Sequence, residues 1–150
     1  MTLRDHRPHI YLAAPLFSEA EVKFNAELAS QLETWCDVFL PQRDGGLFSE
    51  LLKDGIDPSL AKRRIFEVDM GAIRKCTIFV MVLDGRTIDE GAAFELGLAF
   101  SLDKICIGLQ TDPRRILPAG NNPMIECALG EIFGTITELV DGVKKLAQIS

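Results

Sequence analysis

Residues 77–83 read Thr-Ile-Phe-Val-Met-Val-Leu, a continuous apolar run with the length of one β-strand. A strand without polar alternation is typical of the middle of a parallel sheet, where helices cover both faces. The turn Asp84-Gly85-Arg86 follows this run, and a helix-like segment comes next. The three segments together predict one unit of an α/β fold.

The same alternation extends over the rest of the chain. Further strands are predicted at 9–14, 37–40, 104–109 and 131–136, and helices at about 18–35, 57–75, 87–100, 121–129 and 135–148. Alternating strands and helices indicate βαβ units with a parallel sheet. We therefore expect residues 1–150 to form a single-domain, doubly wound α/β fold of Rossmann or flavodoxin type. Its mainly parallel sheet would have five strands, with helices on both faces.

Several helices carry recognisable start signals. A capping box, in which Ser or Thr is followed three residues later by Glu, is predicted at three helices. The pairs are Ser18 with Glu21, Thr87 with Glu90, and Thr135 with Glu138. Another helix would begin with Asp57 as N-cap and Pro58 as its first residue. Residues 42–57 before it form the longest irregular region, which is typical of a lid or binding loop and could include a short helix at 49–53.

Composition argues against several classes of protein. A net charge of −6 disfavours nucleic acid as a partner and favours a small, neutral or weakly charged ligand. Residues 1–8 lack the apolar core of a signal peptide, and no apolar run approaches the roughly 20 residues that span a bilayer. We expect a cytoplasmic location and buried free thiols rather than disulfides at Cys36, Cys76, Cys106 and Cys127.

The helix predicted at 87–100 carries a carboxylate, Glu95, although its sequence is apolar nearly all the way round. We expect a helix of this kind to be buried. Burial of an unpaired carboxylate is costly, which favours a catalytic acid, base or nucleophile. Most neighbours of Glu95 one turn away are small, including Gly91, and would leave room for a ligand. The structural alternative is a pairing of Glu95 with Arg74 or Lys104.

Two aspartates and a tyrosine are further candidates. Asp69 lies one turn from both Ile65 and Ile73, on the apolar stripe of its helix, where we favour function over a structural hydrogen bond. Asp89 would lie at the mouth of the next helix, either in the site or simply favoured there by the helix dipole. Tyr11 on the first strand is more commonly a core aromatic residue with a satisfied hydroxyl.

Other chemistries lack support. The glycine motifs of dinucleotide sites, P-loops and hydrolase elbows are absent from the sequence. His6 and His9 stand three residues apart near the amino terminus and do not favour a metal site or a His-based triad. What remains is a carboxylate site without a metal or cofactor. A buried carboxylate nucleophile with a second carboxyl group is the layout of retaining glycosyl transfer, although the sequence alone does not select that chemistry.

Four segments resemble the nucleoside 2-deoxyribosyltransferase family. In order they are residues 10–17, residues 67–70 around Asp69, residues 89–97 with the pattern D-x-G-x-x-x-E-x-G, and Asn122-Pro123-Met124. The resemblance implies transfer of 2-deoxyribose from a 2′-deoxyribonucleoside to a free base, purines included, in nucleoside salvage. It also implies a homo-oligomer built from dimers, typically a hexamer, with sites shared between subunits.

The resemblance implies a role for each matched residue. Glu95 matches the nucleophile that attacks C1′ and forms a deoxyribosyl-enzyme ester, and Tyr11 matches a residue that orients it. Asp69 and Asp89 match aspartates that handle base protonation and the sugar hydroxyls. Asn122 matches an asparagine that a neighbouring subunit contributes near the 5′-hydroxyl.

Substrate binding is implied at three more positions. Phe17 and Gln42 lie where the family positions the base, and Gly91 belongs to the matched motif around Glu95. The chain ends without the aromatic carboxyl terminus of some members. Related enzymes of this fold hydrolyse deoxynucleoside monophosphates, but the apolar loop 15–18 and the acidic segment 88–90 favour a nucleoside. The alternatives are an N-glycosidase that uses water and a non-catalytic nucleotide-sensing module.

Overall fold

The structure is a computed structural model that describes residues 7–114 and 120–149. Within that part of the chain the strands are β1 (His9–Ala13), β2 (Asp37–Phe39), β3 (Ile78–Val82), β4 (Ile105–Leu109) and β5 (Glu131–Phe133). The helices are α1 (Glu19–Leu32), α2 (Phe48–Lys53), α3 (Pro58–Lys75), α4 (Glu90–Ser101), α5 (Pro123–Glu126) and α6 (Ile136–Ile149). His6, which was considered above as part of a histidine pair, lies outside the described residues.

The strands pair into one parallel sheet in the order β2-β1-β3-β4-β5. The apolar run at 77–83 supplies the central strand, β3, as its continuous hydrophobic pattern predicts. The expected α/β class is therefore confirmed, and the strand order is that of flavodoxin-like folds. No helix in the described ranges has the length and apolar content to cross a membrane.

Side chains alternate between the two faces of the sheet and form two cores. On one face, Ile10, Leu12, Val80 and Val82 pack against α1 and α6. On the other face, Tyr11, Phe79 and Met81 pack against α3 and α4. Helices thus cover both faces, as expected, and the second face is the one that carries the carboxylates.

Most helix starts agree with the sequence prediction. The capping boxes at Ser18 and Thr135 are present, and Asp57 caps α3. The capping box predicted at Thr87 is wrong: α4 begins at Glu90, with Asp89 as its N-cap. Asp is at least as good an N-cap as Thr, and a start at this point leaves Ile88 to pack on the core.

The long region after β2 is more ordered than its sequence indicates. A single-turn π-helix, Pro41–Gly45, follows β2 directly, and we call it the π turn. The short helix expected at 49–53 is present as α2. The π turn lies beside α3 and thus reaches the helix that carries Asp69.

Two expectations about burial are wrong. Helix α4 is not buried all round, because Phe94 is 59% and Phe100 57% exposed. Only the face with Ala92, Leu96 and Ala99 packs on the sheet, since this layer is one helix deep. Cys127 is exposed, whereas the other three cysteines are buried; all four are free thiols.

Candidate active site

The site lies where the sheet changes its winding direction. From β1 the chain winds outward to β2 on one side, and from β3 it winds through β4 to β5 on the other. Ligands of such sheets bind beyond the carboxyl ends of the strands at this switch point. Helix α3 precedes β3 in the chain and helix α4 follows it, so both helices flank the switch point. Asp69 and Glu95 are brought there by these two helices.

Glu95 is held by Tyr11. The hydroxyl of Tyr11 donates a hydrogen bond of 2.8 Å to Oε1 of Glu95. The tyrosine ring is completely buried and stacks between Phe39 and Phe79, with centroid distances of 5.4 and 5.6 Å. This stacking fixes the direction of the hydroxyl. Glu95 therefore has a partner, but a neutral one rather than the Arg74 or Lys104 of the structural alternative.

Asp69 and Glu95 share a pocket of about 400 Å³ between α3 and α4. Gly91 also lines it, so three residues predicted for the site lie around one cavity. The rings of Phe48, Phe66 and Phe94 also line this cavity and are partly exposed. The lining thus combines apolar side chains with two carboxyl groups and one ammonium group, that of Lys62, and the cavity would accept a flat ligand with hydroxyl groups.

Burial governs the electrostatics of the two carboxyl groups. Removal from water raises the pKa of Glu95 to about 7; the hydrogen bond from Tyr11 opposes this rise, while the charges of Asp69 and Asp89 add to it. Burial likewise raises the pKa of Asp69 to about 6. The pKa of Tyr11 is raised far above its usual value by burial and by Glu95, so its hydroxyl stays protonated and donates. Such shifts are characteristic of functional sites.

One oxygen of Asp69 lacks a protein partner. Its Oδ1 atom is buried and accepts no hydrogen bond within the described part of the chain. A structural hydrogen bond therefore does not explain this atom, although buried polar atoms are normally paired. The backbone of Gly45 lies against it, since a methyl group added at Gly45 would be 2.6 Å away.

Asp89 combines the two interpretations left open by the sequence. Its Oδ2 atom accepts a hydrogen bond of 2.8 Å from the amide of Ala92 and so caps α4. Its charge also contributes to the raised pKa of Glu95, which places it within electrostatic reach of that group. Asp89 thus lies at the amino terminus of α4 rather than on the helical face that carries Glu95.

Three predicted substrate-binding residues lie apart from Glu95 in the single chain. Phe17 is 84% exposed in the loop after β1. Gln42 accepts a hydrogen bond from Asn25 and donates one to the carbonyl of Val22. Asn122 caps α5 and lines a different cavity of about 440 Å³. The described residues of one chain therefore do not bring these three to the carboxylate pocket.

Sequence reasoning missed the aromatic side of the pocket. Phe66 precedes Asp69 by three positions on α3, and Phe94 is adjacent to Glu95 on α4. Residues three apart on a helix are neighbours, so helical spacing from the candidate carboxylates could have identified Phe66. Phe48 on α2 gives no such signal, because only the tertiary fold brings it there.

Solved structures share the fold. A conserved protein from Enterococcus faecalis V583 has 24% identity and a TM-score of 0.74, covering 94% of this chain and 99% of that chain. A 2-deoxyribosyltransferase from Bacillus psychrosaccharolyticus has 22% identity and a TM-score of 0.68, with coverages of 89% and 90%. The Clostridium botulinum CMP N-glycosidase BcmB has 16% identity and a TM-score of 0.56, with coverages of 90% and 97%.

These identities are low, so the structural similarities show the fold alone. No curated protein is similar enough in sequence to count as a relative. The sequence model of the family described as nucleoside 2-deoxyribosyltransferase, however, matches residues 10–141. That match includes Tyr11, Asp69, Asp89, Glu95 and Asn122. Because it spans most of the chain, the protein belongs to the nucleoside 2-deoxyribosyltransferase family, whose enzymes act on nucleosides and nucleobases.

Proposed function

We propose that the protein transfers 2-deoxyribose from a 2′-deoxyribonucleoside to a free nucleobase by double displacement. The observation that carries this proposal is the hydrogen bond from the buried Tyr11 hydroxyl to Glu95, in a pocket that Glu95 shares with Asp69. Membership of the family supplies the substrate class. The resulting arrangement has an oriented carboxylate, a second carboxyl group and no basic residue paired with either among the described residues.

In the first half-reaction, Glu95 acts as the nucleophile. Its carboxylate forms a bond to C1′ while the N-glycosidic bond breaks, and the electron pair of that bond goes to the base. Asp69 gives the departing base a proton. Because Tyr11 bonds Oε1, we assign the attack to Oε2. The oxocarbenium-like transition state is stabilised by the surrounding carboxylates.

In the second half-reaction, a free base attacks C1′ of the deoxyribosyl ester. The ester bond breaks, its electron pair returns to Glu95, and the incoming base loses a proton to Asp69. Two inversions at C1′ give overall retention of configuration. The enzyme ends in its starting protonation state, so protons and electron pairs balance over the two half-reactions without a cofactor.

The remaining candidates bind and position the substrate. We assign Asp89 to the sugar hydroxyls, Gly91 to the space beside C1′, and Phe17 and Gln42 to the base. Asn122 would contact the 5′-hydroxyl of the sugar that is bound in the site of a neighbouring subunit. The exposed Phe94 and Phe100 support a homo-oligomer, because exposed apolar side chains of this size favour association. We place the reaction in cytoplasmic salvage, with purines among the accepted bases.

Hydrolysis is the second candidate. The fold similarity to a CMP N-glycosidase favours it, since an enzyme of that name cleaves the same type of bond. Water would then replace the second base as the acceptor, with the same Glu95 ester as the intermediate. A nucleotide-sensing module without turnover is the third possibility.

A base-exchange assay separates the three. Deoxyinosine or thymidine is incubated with and without a second free base, and new deoxynucleoside, released base and free deoxyribose are measured. The proposal requires new deoxynucleoside that forms only with both substrates, by ping-pong kinetics. Free deoxyribose at the same rate with and without the second base supports hydrolysis. Absence of base release in either case supports a binding module.

A further inference from the structure

A buried amide connects three segments around the site. Asn25, on the inner face of α1, is only 2% exposed. Its Nδ2 atom donates hydrogen bonds to the carbonyl oxygen of Pro15, at 2.9 Å, and to Oε1 of Gln42, at 3.0 Å. Gln42 in turn donates to the carbonyl oxygen of Val22, at 2.8 Å. The loop after β1, helix α1 and the π turn are therefore joined by one polar link.

The π turn leads from this link to Asp69. Gln42 is its second residue and Gly45 its last. Gly45 lies so close to Asp69 that an added methyl group would be 2.6 Å from Oδ1. The same oxygen is buried and unpaired within the described residues. The backbone at Gly45 is thus part of the surface that separates the Asp69 carboxyl group from water.

We propose that Asn25 is a positioning residue that acts through Gln42 to hold the π turn against Asp69. The turn then keeps water away from the carboxyl group that faces the substrate pocket. The catalytic consequence rests on the proposed function, because a protonated Asp69 matters only if a departing base takes its proton. The geometric part, from Asn25 to Asp69, stands without it.

An amide is the side chain that this position requires. Pro15 and Gln42 both present oxygen acceptors, so the residue between them must supply two N–H groups. Leucine supplies none, and the buried acceptors would then lose their partners. The turn is also held by Arg43, which donates a part-buried hydrogen bond to the carbonyl of Val38 and forms a solvent-exposed ion pair with Glu33. Buried hydrogen bonds restrain a loop more strongly than exposed ion pairs.

Cutting this link adds or removes no charge around Asp69. The ionisable groups that interact with Asp69 or Glu95, line their pocket or lie in the π turn include Tyr11 from β1, Arg43 and Asp44 from the π turn, Lys62 from α3, and Asp89 and Glu95 from α4. Neither Asn25→Leu nor Gln42→Leu adds or removes a charge among them. A changed titration of Asp69 in these variants therefore reports a displacement of the π turn from its carboxyl group.

Carbon-13 NMR of labelled aspartate side chains tests the proposal without an activity assay. Asp69→Asn assigns the signal, and Glu27→Leu on the exposed side of α1 is the matched control. In Asn25→Leu and Gln42→Leu, the pKa of Asp69 should fall from about 6 toward its ordinary value of 3.8, and in Glu27→Leu it should stay. Unchanged titration in folded Asn25→Leu and Gln42→Leu overturns the proposal. Should Asn25→Leu not fold, the half-buried Gln42→Leu decides alone.

Kinetics then separate this inference from the proposed function. If Asp69 is the acid, the pH at which kcat/KM declines on the alkaline side decreases in these variants together with the pKa of Asp69. Above that pH, kcat/KM falls about tenfold for each unit by which the pKa decreases. If the wild type exchanges bases but the alkaline limb does not move in either variant, the positioning role is contradicted and the proposed function is not. A shifted NMR titration in a protein that exchanges no bases contradicts the proposed function only.

Discussion

The hydroxyl of Tyr11 on β1 lies 2.8 Å from Oε1 of Glu95 on α4 and donates a hydrogen bond to it. The bond spans the switch point of the sheet, and its donor is fixed by stacking between two phenylalanine rings. A rigid neutral donor orients a carboxylate without neutralising it. Glu95 thereby stays available as a nucleophile, whereas a lysine or arginine partner would lower its reactivity.

Tyr11→Phe should impair catalysis while preserving the fold, because phenylalanine keeps the stacked ring and removes only the hydroxyl. A hydrogen bond to a charged group contributes about 1.5–3 kcal/mol, so kcat/KM should fall roughly 10- to 100-fold. The bond lowers the pKa of Glu95, so its loss should move the acidic limb of the pH profile upward. Steady-state kinetics across pH check both effects. An unchanged rate and limb would show that the hydroxyl does not act on Glu95.

Glu95→Gln should stabilise the protein at neutral and alkaline pH. The pKa of Glu95 rises from 4.5 to about 7 on folding, so its contribution to stability is fully present below 4.5 and is lost as the pH rises through about 7. At about 1.4 kcal/mol per pKa unit, the variant should gain roughly 3 kcal/mol above that range. Urea unfolding at several pH values measures this, with Glu90→Gln at the exposed start of α4 as control. A gain in stability of equal size at every pH would contradict the raised pKa of Glu95.

Asp69→Asn should slow release of the base and also change the titration of Glu95. Loss of a general acid costs roughly 10²- to 10⁴-fold in rate. The charge of Asp69 raises the pKa of Glu95, so its removal should move the acidic limb of the pH profile downward. A donor whose leaving group needs no proton should be affected much less than deoxyinosine. Equal losses for both donors would argue against an acid role for Asp69.

Gly45→Ala should destabilise the π turn or displace Asp69, because the new methyl group would lie 2.6 Å from Oδ1. Overpacking of this kind costs about 1–3 kcal/mol. Gly71→Ala on α3 is the matched control, since an added methyl group there meets nothing within 4 Å. That control should be neutral or more stable by about 0.5–1 kcal/mol, because alanine favours helix. Thermal unfolding of both variants measures the contrast, and equal stabilities would mean that Gly45 does not press on Asp69.

Elements with strong local signals were predictable from sequence. The apolar run at 77–83 indicated the central strand because only a strand covered on both faces tolerates it. Asp69 was identified because a carboxylate on an apolar stripe breaks helical periodicity. Where two residues close in sequence compete for one role, the local signal was insufficient: Asp89 and not Thr87 caps α4, since the packing of Ile88 also matters.

Features created by the tertiary fold were not predictable. The hydrogen bond between Asn25 and Gln42 joins residues 17 positions apart, and neither stands out in its own segment. Phe48 reaches the pocket only because α2 packs on α3. The exposure of Phe94 depends on how many layers cover α4, which hydrophobic periodicity does not encode.

The central claim is that Glu95 becomes covalently attached to C1′ of the sugar. The most direct measurement is rapid acid quenching of the enzyme with a 2′-deoxyribonucleoside and no acceptor base, followed by intact mass spectrometry and peptide mapping. The account predicts a deoxyribosyl adduct on the peptide that contains Glu95, its disappearance when a second base is added, and its absence in Glu95→Ala. Release of base by the wild type at an undiminished rate, with no adduct on that peptide at any quench time, would contradict it.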